Sequence, residues 1–110
     1  MFGEDMTWVK VAEISSLPPE GLTRADANGV PVLIVTTGGK IYATQGLCTH
    51  EMDDLSNGSL ENGNIVCGFH YATFQPSTGE VISQPQDGGE ATPLKTYAVK
   101  IEDGKVLVDL

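Results

Sequence analysis

The sequence predicts an all-β fold, a small antiparallel β-barrel or sandwich with an inserted loop-rich subdomain, and three observations carry that prediction. Short runs of β-branched and aromatic residues recur along the chain, turn signals rich in Gly, Pro and Asn separate them closely, and no amphipathic helical stretch interrupts them. Thirteen glycines in 110 residues, with 40% hydrophobic and 19% charged residues, suit many short strands joined by turns. A chain of this length has room for a modest core and is expected to form one domain, residues 1–110.

Taken in order, Trp8-Val9-Lys10-Val11 reads as a first strand, and Pro18-Pro19-Glu20-Gly21 breaks the chain too firmly for a helix to continue. Residues 30–37 form a strong strand of mostly β-branched residues. Gly38-Gly39 turn it, and residues 40–44 run back as the second arm of a hairpin. From about residue 45 to residue 85 the texture changes, with Asn57-Gly58, Asn62-Gly63 and Ser77-Thr78-Gly79 punctuating the chain, and this stretch is the inserted subdomain. Within it Asn62-Gly63 is expected to turn residues 58–61 onto 64–67, and residues 76–79 to turn Thr73-Phe74 onto 80–82. After a Gly- and Pro-rich loop at 85–93, residues 96–101 alternate as one strand, Asp103-Gly104 turn, and 105–110 close a last hairpin on the basal β-domain.

The totals exclude several classes of function. The formal net charge is -9 and the pI near 4.3, which argues against nucleic acid, since a phosphate backbone must be met by clustered Lys and Arg. An acidic chain suits basic protein partners instead. The N-terminus carries Glu4 and Asp5 without an apolar targeting run, and the longest apolar stretches, such as 30–35, fall far short of a membrane span. A cytoplasmic protein without membrane association is the expectation.

Cys48-Thr49-His50 and Cys67-Gly68-Phe69-His70 together contain every cysteine and every histidine of the chain. Without an export signal a structural disulfide is not expected, and a lone Cys-x-His is usually coincidence. Two such pairs on neighbouring loops make a metal site. Structural zinc sites mostly pair like with like along the chain, two cysteines and then two histidines. Here each loop carries one thiolate and one imidazole, which suits two irons, one held by two thiolates and the other by two imidazoles. A mononuclear zinc or iron site is the alternative.

The C-x-H, the sixteen residues from 51 to 66 and the C-x2-H resemble the Rieske signature, and the flanking hairpins, Gly79 and Pro85 also fall where Rieske ferredoxins keep them. The resemblance covers nearly the whole chain. It departs from the family pattern at Glu51, where many ring-hydroxylase ferredoxins have Gly, and at Gly68, where Pro is common. The resemblance implies a Rieske-like fold whose cluster-binding subdomain is the 45–85 stretch, and one 2Fe-2S cluster held by Cys48, His50, Cys67 and His70. The Rieske proteins of quinol-oxidising complexes add a second cysteine to each loop, a membrane anchor, and Ser and Tyr hydroxyls at the positions of Ala72 and Phe74. This chain has one cysteine in each loop and Ala72 and Phe74 at those positions, and no anchor is expected.

Missing hydroxyl donors destabilise the reduced cluster, and so does the charge around it. Residues 41–94 hold no Lys or Arg but carry Glu51, Asp53, Asp54, Glu61, Glu80, Asp87 and Glu90. A low potential is expected. The outer nitrogens of His50 and His70 are expected near solvent, because polar loops present them.

Both histidines are taken by the cluster, so none is left for the mononuclear iron of an oxygenase, and no G-x-G-x-x-G marks a flavin or nicotinamide site. Gly38-Gly39 and Gly88-Gly89 read as turns. By resemblance the chain is a ferredoxin component of an aromatic-ring dioxygenase system, a non-enzymatic, monomeric one-electron carrier between an NAD(P)H-dependent flavin reductase and a terminal oxygenase. Leu47, Met52, Phe69 and Pro85 are its candidate apolar docking contacts. The rival readings are a small Rieske subunit of another reductase, such as one acting on nitrite, a redox sensor, and a zinc-stabilised interaction module.

Overall fold

The computed structural model describes residues 7–50, 52–68 and 70–110. Along the chain run β1 (Trp8–Glu13), β2 (Gly21–Ala27), β3 (Val30–Thr37), β4 (Lys40–Gln45), β5 (Ser59–Glu61), β6 (Asn64–Val66), β7 (Thr73–Phe74), β8 (Val81–Ser83), β9 (Thr96–Tyr97), β10 (Val99–Glu102) and β11 (Lys105–Asp109). They pair antiparallel in three sheets, ordered β1-β11-β10, β2-β3-β4-β9 and β5-β6-β7-β8. The all-β expectation holds. Helix among the described residues is limited to single 3-10 turns at Ile14–Ser16 and Leu55–Asn57.

The unbroken apolar run in β3 is explained by its place between two cores. Alternate side chains of a strand point to opposite faces, so a strand that is apolar throughout must be covered on both. Val32 packs with Ala27, Ala43 and Val108 in the core shared with the β1-β11-β10 sheet. Leu33 and Val35 face the other way, into a core with Leu55, Ile65, Phe74 and both cysteines. β3 thus forms a wall, with a basal core on one side and the two cysteine-bearing loops on the other.

The predicted turns at Gly38-Gly39, Asn62-Gly63 and Asp103-Gly104 all have both residues at positive φ, the twist that two-residue hairpins favour. Two expectations need correction. β2 was not foreseen, because Gly21-Leu22-Thr23-Arg24-Ala25-Asp26-Ala27 holds a single β-branched residue, Thr23, among residues mostly depleted in strands. It becomes a strand by pairing along its whole length with β3, from Gly21↔Thr36 to Ala27↔Val30, across an Asn28-Gly29 turn also at positive φ. The single strand expected at 96–101 is two. Thr96 and Tyr97 pair with β4, whereas Val99 to Glu102 pair with β11, so the chain changes sheets at Ala98.

Candidate metal centre

Cys67 follows β6 directly and Cys48 follows β4 after two residues, so two hairpins deliver the cysteines to one end of the β3 wall. The loops that follow are built alike. The Cys48 N–H donates to the Asp53 carbonyl at 2.7 Å and its carbonyl accepts from the Met52 N–H at 2.9 Å. The Cys67 N–H donates to the Ala72 carbonyl at 2.8 Å and its carbonyl accepts from the Tyr71 N–H at 3.2 Å. Four residues past each cysteine stands a non-glycine residue at positive φ, Met52 at 62° and Tyr71 at 64°. Each loop therefore bends back on its own cysteine. Neither Met52 nor Tyr71 carries a sequence signal for that conformation, which bulky residues rarely adopt.

Both cysteines are buried in the β3 core, and neither is in a disulfide. The His50 N–H points at the Cys48 Sγ, 3.5 Å away. The two imidazoles stand edge to face with ring centroids 5.3 Å apart. All four sequence-predicted residues thus lie at one end of the molecule, the thiols inward and the rings outward. Among the described residues, the group of three metal-ligating side chains whose donor atoms all come within 4.8 Å of one another is His50, His70 and Asp87.

Asp87 was counted in the sequence only as one of the surrounding acids. It sits on the loop between β8 and β9, where its Oδ2 lies 3.3 Å from the His50 Nε2 and 3.5 Å from the His70 Nε2. The Gly89 N–H, donating to its other oxygen at 2.8 Å, chiefly holds the Asp87 carboxyl below the usual range, and the two nearby imidazoles add to the effect. The outer nitrogens are therefore less open than expected. The His50 side chain is 10% exposed and that of His70 33%.

This third loop is tied to both of the others. Thr49 Oγ1 donates to the Thr92 carbonyl at 2.6 Å and accepts from the Thr92 N–H at 3.0 Å, while the Gln86 N–H donates to the His70 carbonyl at 2.8 Å. Its far end is pinned where the Leu94 N–H donates to the Gly79 carbonyl at 2.8 Å; Gly79, at φ 79°, has its backbone pressed so closely on Leu94 that a Cβ would overlap the Leu94 carbonyl oxygen.

The acidic stretch also has a cation that the local sequence does not show. Arg24, from β2, reaches Asp54 at 2.7 Å, and Ser56 donates to the same carboxylate through its N–H at 2.9 Å and its hydroxyl at 2.7 Å. With the Ser56 hydroxyl contributing most, these donors hold Asp54 below the ordinary carboxylate range. Ala72 and Phe74, where hydroxyl donors were expected to be missing, are buried beside Cys67 in the same core.

Of the predicted docking contacts, Met52 is 66% exposed and Leu47 half-buried, but Pro85 is buried and so shields rather than docks. Phe69, like Glu51, lies outside the described residues. Tyr71, which sequence reasoning passed over, is 54% exposed at the equivalent place to Met52.

The Rieske [2Fe-2S] domain model matches residues 7–98. The chain belongs to the Rieske 2Fe-2S family. It is 35% identical over 105 residues to the ferredoxin component of biphenyl 2,3-dioxygenase from Rhodococcus jostii (strain RHA1), covering 96% of this chain and 94% of that one. Among solved structures it is similar to the ferredoxin of carbazole 1,9a-dioxygenase from Nocardioides aromaticivorans IC177, with a TM-score of 0.84, 30% identity, and coverage of 94% of this chain and 97% of that one. It is similar also to a chain in the complex of reduced oxygenase and oxidized ferredoxin in carbazole 1,9a-dioxygenase, with a TM-score of 0.83, 32% identity, and coverage of 96% and 94%. This Rieske ferredoxin carries a Rieske-type 2Fe-2S cluster and is an electron-transfer component rather than an enzyme.

Proposed function

We propose that Cys48 and Cys67 hold one iron and His50 and His70 the other, and that the chain passes single electrons from an NAD(P)H-dependent flavin reductase to the terminal oxygenase of an aromatic-ring dioxygenase system. It does so as a cytoplasmic monomer, residues 1–110 acting as one Rieske domain in which residues 45–85 bind the cluster. The observation that carries the reading is the separation of the donors, two buried thiols inward and two imidazoles outward on paired loops. A single tetrahedral zinc, with ligand distances of about 2.0–2.3 Å, draws its four donor atoms to within about 4 Å of one another. Yet the close group of three among the described residues contains neither cysteine. His50, His70 and Asp87 match the two-histidine, one-carboxylate donor set of a mononuclear iron, but that set leaves the two buried thiols without a role.

The bound cluster supplies reversible one-electron chemistry at the low end of the Rieske range, about -150 mV rather than about +300 mV. The chain provides the rest. The apolar core around Cys48 and Cys67 keeps water from the thiolate side, and Ala72 and Phe74 give no hydroxyl to it. Met52 and Tyr71 flank the histidines with exposed apolar surface suited to a small, transient interface.

Visible and EPR spectra of the oxidised and reduced protein test the ligand reading, since a cluster with two Cys and two His ligands differs from both zinc and an all-cysteine cluster. Redox titration gives the potential. A colourless protein with stoichiometric zinc ends the proposal, and a clearly positive midpoint overturns the low-potential part. Reduction by NAD(P)H is expected only when a flavin reductase is added.

A further inference from the structure

The Asp87 carboxylate reaches both histidines at once, and nothing in the family reading requires it. We propose that Asp87 is a positioning residue for the cluster: one carboxylate oxygen accepts from the outer N–H of both His50 and His70, locks the two rings in register and lowers the reduction potential. The inference rests on the ligand assignment made above.

Four features of the structure support it. Both ring contacts go to the same oxygen, Oδ2, at 3.3 and 3.5 Å, and both come from Nε2, so each ring keeps Nδ1 for iron. The other oxygen, Oδ1, is occupied by the Gly89 N–H at 2.8 Å, which fixes the carboxylate plane. The loop is tied to the first cysteine loop through the Thr49–Thr92 pair and to the second through the Gln86 N–H on the His70 carbonyl, so the carboxylate is held from both sides. Finally, Gly89 lies so close to the His50 ring that a Cβ there would overlap Nε2, which lets the loop backbone approach the ring.

The chemistry follows from general ligand behaviour. A carboxylate that accepts a hydrogen bond from the outer nitrogen of a metal-bound imidazole fixes the ring's tautomer and orientation and makes the inner nitrogen more basic. Greater basicity favours the more positive, oxidised iron. The fixed negative charge disfavours an added electron in the same direction. One residue thereby clamps two ligands that come from different loops.

The test compares Asp87→Asn, Gly89→Ala and Glu90→Gln with the wild type at one pH and ionic strength. Asp87→Asn keeps the shape and removes the charge. Gly89→Ala keeps Asp87 but forces its loop away from His50. Glu90→Gln removes one exposed charge from the same loop without touching either ring. Asp87→Asn is expected to shift the one-electron reduction equilibrium about tenfold toward the reduced form, a rise of about 59 mV. Gly89→Ala should move it in the same direction, and Glu90→Gln by less than twofold. EPR g-values should change in the first two variants only, and both should lose iron to a chelator faster than wild type. If Asp87→Asn does not retain a cluster, the potential of Gly89→Ala decides. A potential within twofold of wild type in the variant read, or equal shifts in it and Glu90→Gln, overturns the proposal. If the wild type itself lacks a Rieske spectrum, the ligand assignment fails instead, so the two failures are distinguishable.

Discussion

The described residues that follow Cys48 and Cys67 share two backbone features and differ in what holds them. Both close a hydrogen bond from the cysteine N–H to the carbonyl five residues on, and both place a bulky residue at positive φ. The first loop is anchored outside itself, since Arg24 and Ser56 hold Asp54 and the Thr49 hydroxyl exchanges two hydrogen bonds with Thr92. The second receives the Gln86 N–H on the His70 carbonyl and the Asp87 carboxylate on the His70 ring, and it rests on the core beneath it. The difference reaches the rings, because His50 is 10% exposed and His70 33%. A matched pair of loops thus gives a buried, braced side and an open side. Electrons are expected to leave by the open one.

The matched half of the comparison gives the largest effect. If each loop supplies one ligand to each iron, Cys48→Ser and Cys67→Ser should abolish the cluster equally, and iron analysis with EPR reads this directly. A Cys67→Ser protein that keeps a Rieske spectrum would break the equivalence. Next comes the core beneath the second loop. Phe74 is fully buried in the core that holds Leu33, Val35 and both cysteines, and Phe74→Ala should destabilise the protein by about 3–5 kcal/mol in denaturant unfolding, with the second loop losing its support first. A loss below about 1 kcal/mol would mean that this loop is braced by something other than its core.

How much of this was legible in the sequence depends on whether the signal is local. The four proposed ligand positions, the hairpin turns at Gly38-Gly39, Asn62-Gly63 and Asp103-Gly104, and the all-β class rest on residue types at fixed spacing, and those are visible in a string. β2 was hidden because its strand character is borrowed from β3, not from its own Arg, Asp and Ala. The change of sheet at Ala98 was hidden because alternation reports a strand but not its partner. Asp87 and Arg24 were hidden for a third reason. Each acts across the fold, Asp87 from a loop 17 residues beyond His70 and Arg24 from a strand 30 residues before Asp54, and no spacing rule links them. Their roles are set by tertiary placement, which a count of charges reads only as net sign.

The open side can be located by truncating the exposed residue of each loop. Tyr71 adjoins His70, and tyrosines at transient interfaces often carry a large share of the binding energy. Tyr71→Ala should reduce the second-order rate of electron transfer to the oxygenase about tenfold, equivalent to roughly 1.4 kcal/mol, and Met52→Ala about threefold, equivalent to roughly 0.6 kcal/mol. Midpoint potentials should not move in either. A larger loss in Met52→Ala would place the outlet on the braced loop.

The smallest effect lies in the brace itself. Arg24 is half exposed, so its pair with Asp54 contributes only about 0.2–1 kcal/mol in a double-mutant cycle, and less at high salt. Its pH dependence has a definite sign. Asp54 is held below the usual carboxylate range in the fold, first by the Ser56 hydroxyl and then by the Ser56 N–H and Arg24. A carboxyl whose folded pKa is depressed contributes stability that is fully present above its unfolded pKa, about 3.9, and is lost as pH falls through the folded value. Wild type should therefore lose stability more steeply than Asp54→Asn as pH is lowered below about 4. Denaturant melts of both proteins between about pH 6 and pH 3 measure the difference, and parallel curves would show that the first loop is held by the Thr49–Thr92 pair without help from the charge pair.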